Sequence, residues 1–163
     1  MEINKKNLSA HPAAQAWFAA KYGNDAVIDL GVVMQATVEN LYGSAEWAVW
    51  MVEQFNRPLP KNFSCVYFDA GKNFNQPLPE GFSCDQFDAG EQFNQPLPEN
   101  FSCVVFYAEE KYNQPLPVGF SCIDFFAGEK YNQPLPVDFK CVVFFTGKSF
   151  NRPLPVGLKC VNF

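Results

Sequence analysis

The sequence predicts an α+β protein: a small N-terminal helical cap followed by a short parallel β-solenoid with a 19-residue period. Three observations carry this. The segment FNQPLPEGFSC at 74–84 returns as FNQPLPENFSC at 93–103 and as YNQPLPVGFSC at 112–122. The aromatic residue ahead of each Asn recurs at Phe55, Phe74, Phe93, Tyr112, Tyr131 and Phe150, every step 19 residues. The first 54 residues hold no copy of this motif and read as helices. A fixed period near 20 marks a solenoid, because a unit this short cannot bury its own apolar side and must stack on neighbours of matching shape.

The repeat divides the chain into a cap over 1–54 and a solenoid over 55–163, with five full copies to residue 149 and a partial sixth. All six cysteines fall in one column, Cys65, Cys84, Cys103, Cys122, Cys141 and Cys160, and 12 of the 13 prolines fall in two more. Of the 18 Phe, 17 lie at or beyond Phe55, so the aromatic excess belongs to the repeat.

One coil, 74–92, shows how the unit is built. Phe74, Leu78, Phe82, Cys84 and Phe87 form its apolar columns. Pro77 and Pro79 lack an N–H and push the preceding residue to extended geometry, which makes Pro77-Leu78-Pro79 an edge that cannot be helix. The next column holds Asn62, Gly81, Asn100, Gly119, Asp138 and Gly157, residues that tolerate a positive φ and mark a turn. Residues 83–89 form the predicted strand, and Ala89-Gly90 the following corner.

Two columns have both chemical and structural readings. The Asn column (Asn56, Asn75, Asn94, Asn113, Asn132, Asn151) reads as an amide ladder that satisfies backbone groups at a buried corner, in preference to a polar binding stripe. The Cys column reads as small buried hydrophobes. A zinc site needs Cys pairs a few residues apart or His partners, and the only histidine is His11.

In the cap, Ser9 and Pro12 suit the start of a helix over 13–22 that Gly23 stops. Asp29 is placed to cap a second helix through Leu41, closed by Gly43, and Ser44 a third over 45–54. Trp17, Phe18, Val32, Val33, Met34, Val38, Leu41, Trp47, Trp50 and Met51 supply the apolar faces. Such a cap covers the core and unpaired backbone that a solenoid end exposes. The last coil has no cap after it in the sequence and presents Leu154, Leu158 and Phe163, so self-association as a homodimer through that end is an expectation.

The motif F-N-Q-P-L-P-x-x-F-x-C-x-x-F-x-A-G-x-x resembles the FNIP repeat, a short relative of the leucine-rich repeat, and also the FNQPL units of BspA-like surface repeats. The resemblance covers 55–163. Two departures stand out: the period of 19 is shorter than in those families, and Cys replaces a family Leu or Val. The resemblance implies a leucine-rich-repeat-like solenoid whose usual role is protein binding.

Composition narrows the function. A net charge of −5 from 12 basic and 17 acidic residues disfavours a nucleic-acid phosphate binder. An apolar content of 48% is ample for a core and argues against disorder. No stretch reaches the roughly 18–20 apolar residues of a membrane span, and MEINKKNLSAHP lacks the apolar run of a secretory signal, so a cytoplasmic protein with reduced thiols is expected. With one histidine and no Gly-rich phosphate motif, neither an enzyme nor a cofactor is expected.

Recognition is therefore sought in the columns that vary. Two flank Phe87 and point outward by alternation: Tyr67, Gln86, Val105, Asp124, Val143, and Asp69, Asp88, Tyr107, Phe126, Phe145. Tyr107, Phe126 and Phe145 form a predicted exposed aromatic stripe, and Tyr67, Asp69, Asp88 and Asp124 complete the predicted partner-binding set. Charge drifts along the stack, with 3 basic and 8 acidic residues over 55–110 (net −5) and 6 basic and 3 acidic over 111–163 (net +3). The first reading is a non-enzymatic protein–protein interaction module. The alternatives are a structural protein that self-assembles through its open end, an acidic solenoid that mimics nucleic acid, and a carbohydrate-binding module.

Overall fold

The computed structural model describes residues 1–8, 12–38, 56–145, 147–158 and 160. The N-terminal unit opens with β1 (Glu2–Asn4), a 3₁₀ turn (Lys5–Leu8) and α1 (Pro12–Tyr22), followed by β2 (Val27–Asp29) and α2 (Leu30–Val38). Pro12 occupies the first helical position, where its missing N–H has no intrahelical partner to lose. Gly23, at φ 95°, closes α1 by donating its N–H to Ala19 O at 2.9 Å. Asp29 caps α2 as expected, its Oδ1 accepting the Gly31 N–H at 2.9 Å.

The sequence reading missed two strands here. β1 and β2 pair antiparallel, Ile3 opposite Ile28, and at three residues each they are too short to show a periodic signal. Phe18, Val33 and Met34 are buried as expected, but Val32 lies one position off the buried stripe and is 54% exposed. The expected continuation to Leu41, the third helix over 45–54, and Ser9, His11, Trp47, Trp50 and Met51 lie outside the described residues.

The repeat forms a parallel β-solenoid. Its strands are β3 (Ser64–Asp69), β4 (Ser83–Asp88), β5 (Val105–Ala108), β6 (Asp124–Ala127) and β7 (Val143–Phe145), paired in that order. Each residue sits opposite its equivalent 19 positions on, as with Phe68↔Phe87, Phe87↔Phe106, Phe106↔Phe125 and Phe125↔Phe144.

The core explains the phenylalanine content. Three aromatic ladders run along the stack. One climbs Phe74, Phe93, Tyr112, Tyr131 and Phe150 with ring centroids 5.9–6.3 Å apart and planes within 6°. A second climbs Phe63, Phe82, Phe101, Phe120 and Phe139. A third climbs Phe68, Phe87, Phe106, Phe125 and Phe144 at 5.3–5.4 Å. Within a coil the ladders meet edge-on, Phe82–Phe87 at 86° and Phe87–Phe93 at 64°. Apart from Phe125 and Phe144, tilted by 44°, rings are therefore offset-stacked between coils and tilted within them, the two arrangements their quadrupoles favour, at about 0.5–1.5 kcal/mol per pair beyond burial. The Pro-flanked leucines Leu59, Leu78, Leu97, Leu116 and Leu135 are buried in the same core.

Polar ladders fix the corners. The N–H groups of Asn75, Asn94, Asn113, Asn132 and Asn151 each donate to the Oδ1 of the Asn one coil earlier, at 2.9–3.1 Å. The amide ladder thus holds, but at an exposed to half-exposed corner where a buried one was expected. In the turn column Asn62, Gly81, Asn100, Gly119 and Gly157 all take positive φ. Asp138 does not, and instead its Oδ2 accepts the Gly119 N–H at 2.9 Å.

The corner after the strand comes in two forms. In the first two coils Asp69 and Asp88 close tight turns, their Oδ1 atoms accepting the N–H of Gly71 (2.7 Å) and Gly90 (2.9 Å). Both glycines are left-handed, at φ 59° and 57°. In the later coils the Asp is replaced by Tyr107, Phe126 and Phe145, and Glu109, Gly128 and Gly147 leave the left-handed region. The strands change with them. Ile123 and Asp124 both donate to Val104 O, and Val142 and Val143 both donate to Ile123 O, a bulge that bends the chain.

Candidate interaction face

The outward columns beside the Phe87 ladder carry the candidate site. Parallel in-register pairing sets Tyr107 against Phe126 and Phe126 against Phe145. Their rings stack at 4.6 Å in both steps, with planes 13° and 8° apart. This spacing is close to the roughly 4.8 Å between strands, so the three rings lie almost directly over one another. Tyr107 and Phe126 are half-buried and Phe145 is 41% exposed, in a row that faces outward as alternation predicts.

Tyr67 is exposed at the N-terminal end of the sheet, and Asp124 is half-buried within it. Asp69 and Asp88 share the aromatic column, but each spends Oδ1 on its own corner, a structural role that the sequence reading did not give them. Burial holds the Asp88 carboxyl above its ordinary value. The Gly90 N–H pulls it partly back, and the Asp69 charge adds to the rise. Burial also raises Glu109, helped by Asp88, Glu110 and Asp69. The Tyr67 phenol is raised by burial and then by Asp69, Asp88, Tyr107 and Glu109, so these groups form one electrostatic neighbourhood.

Glu109 was missed from the sequence, although a signal was there. It stands where the other coils carry Gly71, Gly90, Gly128 and Gly147. A Cβ on Gly128 or Gly147 would lie 2.0–2.1 Å from a carbonyl of the preceding coil, so the column excludes side chains except where the corner changes form. Glu109 lines two adjoining clefts. One, of about 280 Å³, includes Asp69 and Asp88; the other, of about 480 Å³, includes Tyr107, Phe126 and Glu129.

Two apolar stripes also escaped the sequence reading. Alternation fails between the Cys and Phe columns, where two consecutive residues turn outward, so Val66, Val104, Ile123 and Val142 are exposed. At the Pro-Leu-Pro turn, Lys61, Glu80 and Glu99 give way to Val118, Val137 and Val156, the last two almost fully exposed. Of the predicted self-association residues, Leu154 and Leu158 are partly buried against the core, and Phe163 lies outside the described residues.

The Cys column contributes buried or half-buried thiols. Burial pushes Cys65 and Cys103 up to about 12, which disfavours the thiolate that a nucleophile or metal ligand requires. At the last step Cys141 Sγ and Cys160 Sγ approach to 2.6 Å. Among the described residues no group of three or more His, Cys, Asp or Glu is arranged to hold a metal ion, and no helix is long and apolar enough to cross a membrane.

Fold and face together define a parallel β-solenoid with an outward aromatic ladder that begins at a cluster of carboxylates. No family model, curated protein or solved structure matches the chain.

Proposed function

We propose that this protein is a non-enzymatic interaction module that binds a protein partner through the outward strand face of its solenoid. The observation that carries the reading is the row Tyr107, Phe126 and Phe145, stacked at 4.6 Å on the outer side of the sheet. Three large rings on a rigid parallel scaffold offer contact area at little entropic cost, the usual make-up of a binding hot spot. The exposed Val104, Ile123 and Val142 extend apolar surface across the same sheet. The likeness of the repeat to FNIP units, whose solenoids serve protein binding, points the same way, and a cytoplasmic setting suits six free thiols.

The test is affinity capture from the source cell lysate with wild type beside the double variant Phe126→Lys/Phe145→Lys, the fold of both checked by circular dichroism. The reading expects a protein retained by wild type and lost by the variant. An identical captured set from both folded proteins sinks it. A second reading, self-association through the C-terminal coils, is favoured by the exposure of Val137 and Val156 beside Leu154 and Leu158. Sedimentation velocity across a concentration series separates it, since only self-association makes the mass grow with concentration.

A further inference from the structure

Three ion pairs join neighbouring coils at the turns: Lys61 lies 3.5 Å from Glu80, Lys72 4.0 Å from Glu91, and Lys148 3.0 Å from Glu129. The acidic end of the outward sheet face has no such pairing. Among the described residues Asp69, Asp88 and Glu109 form no ion pair, although Asp88 and Glu109 are desolvated enough to rise above their ordinary values. Each Asp commits only Oδ1, to its own corner. Lys72 lines the same cleft but pairs with Glu91 at 4.0 Å, so these half-buried carboxylates have no ion-pair partner of their own, and an arriving cation recovers the cost of their burial.

The neighbouring ring selects the cation. The carboxylates are not arranged to hold a metal ion. Tyr107 stacks on Phe126 on one side, and on its other side the register places Asp88. Asp88 is a smaller neighbour for the ring than Phe126, and Tyr107 and Glu109 line one cleft of about 480 Å³. A guanidinium is planar, stacks on aromatic faces and donates to carboxylates through a fixed fork, which a spherical ammonium does less well.

We infer that the acidic end of this face, formed by Tyr67, Asp69, Asp88, Tyr107 and Glu109, receives an arginine side chain from an extended peptide segment of the partner, whose apolar side chains lie along Phe126 and Phe145. The inference rests on the reading of this face as the binding surface. From Asp88 to Phe145 is three strand steps, roughly 14 Å, which an extended chain covers in about four or five residues. The segment therefore carries its arginine about that far from its apolar anchor.

The experiment selects binders from a random twelve-residue peptide library on the immobilised full chain and measures the winners by calorimetric titration. Expected winners pair an arginine with an aromatic or aliphatic residue at that separation. Asp88→Asn/Glu109→Gln weakens them about tenfold or more, as does arginine→Ala in the peptide, and the two changes together weaken binding less than the product of the two. Asn keeps an Oδ1 for Gly90, so the corner survives in the variant. Winners without arginine that still lose binding in Phe126→Lys overturn the cation site and leave the face reading standing. Winners untouched by any of these variants overturn both. A library that yields no binder, or a face covered only by a second copy in sedimentation, also overturns the inference.

Discussion

The hydroxyls of Tyr112 and Tyr131 offer a test of the core in which removing an atom stabilises the protein. Both rings are fully buried in the first aromatic ladder, and neither Oη has a hydrogen-bond partner. Burial raises both phenols strongly, so they stay protonated. The same column holds Phe74 and Phe93, also fully buried, which shows that the coil accepts a ring without the hydroxyl. A buried polar group without a partner costs about 1–3 kcal/mol. Losing the packing of one oxygen returns a few tenths of that. Tyr112→Phe and Tyr131→Phe should each stabilise by about 1 kcal/mol, and the pair by about 2 kcal/mol. For a chain of this size that is roughly 4–8 °C in melting temperature. The rings stack at 6.2 Å, so the double variant is measured as well as summed. Scanning calorimetry with urea titration gives the numbers. A loss of about 1 kcal/mol or more in either single variant would refute the reasoning, because it means that the hydroxyl holds a partner such as a buried water.

Other predictions follow from corners and ladders. Gly147→Ala places a Cβ 2.1 Å from Gly128 O and 2.7 Å from Ala127 O, both backbone, and should cost roughly 1–3 kcal/mol in urea unfolding; an unchanged midpoint would mean that the corner yields. Asn113→Ala removes the acceptor for the half-buried Asn132 N–H and should cost about 1–2 kcal/mol, whereas Asn113→Asp, which keeps an acceptor, should cost less. Asp88 and Glu109 bind their protons more tightly folded than unfolded. Between the unfolded carboxylate values near 4 and the higher folded ones, the folded state therefore holds more protons, and their contribution to stability falls as pH rises. Asp88→Asn should flatten that part of the stability–pH curve, and a slope identical to wild type would contradict the assignment.

Much of this fold was legible because the chain repeats itself. The 19-residue step fixed which residues stack, and Pro77-Leu78-Pro79 fixed where the strand is not. The strand at 83–89 and the buried Phe columns followed from apolar spacing. What escaped depends on backbone detail that spacing does not encode. Strict alternation hid the bulge at Val104, Ile123 and Val142, where two N–H groups share one carbonyl. Asp69 and Asp88 were read as contact residues from their outward position, but their link to Gly71 and Gly90 lies in the Asp-x-Gly spacing. Glu109 was the residue to notice: a charged side chain in a column of glycines marks a place where the coil has changed shape.

That change of shape has a mechanical consequence. In a solenoid each coil couples only to its neighbours, so stability is a sum of junctions. The junction between the second and third coils joins unlike corners. There β4 and β5 pair from Gln86 to Asp88, a run as short as that of β6 and β7 and shorter than that of β3 and β4, Ser64 to Asp69. The stack is accordingly two zippers with a seam, and opening should halt where the left-handed glycines end. Tyr107 stands on the far side of that seam and Asp88 on the near side. A ligand that grips both would act as a staple, slowing hydrogen exchange in both blocks at once.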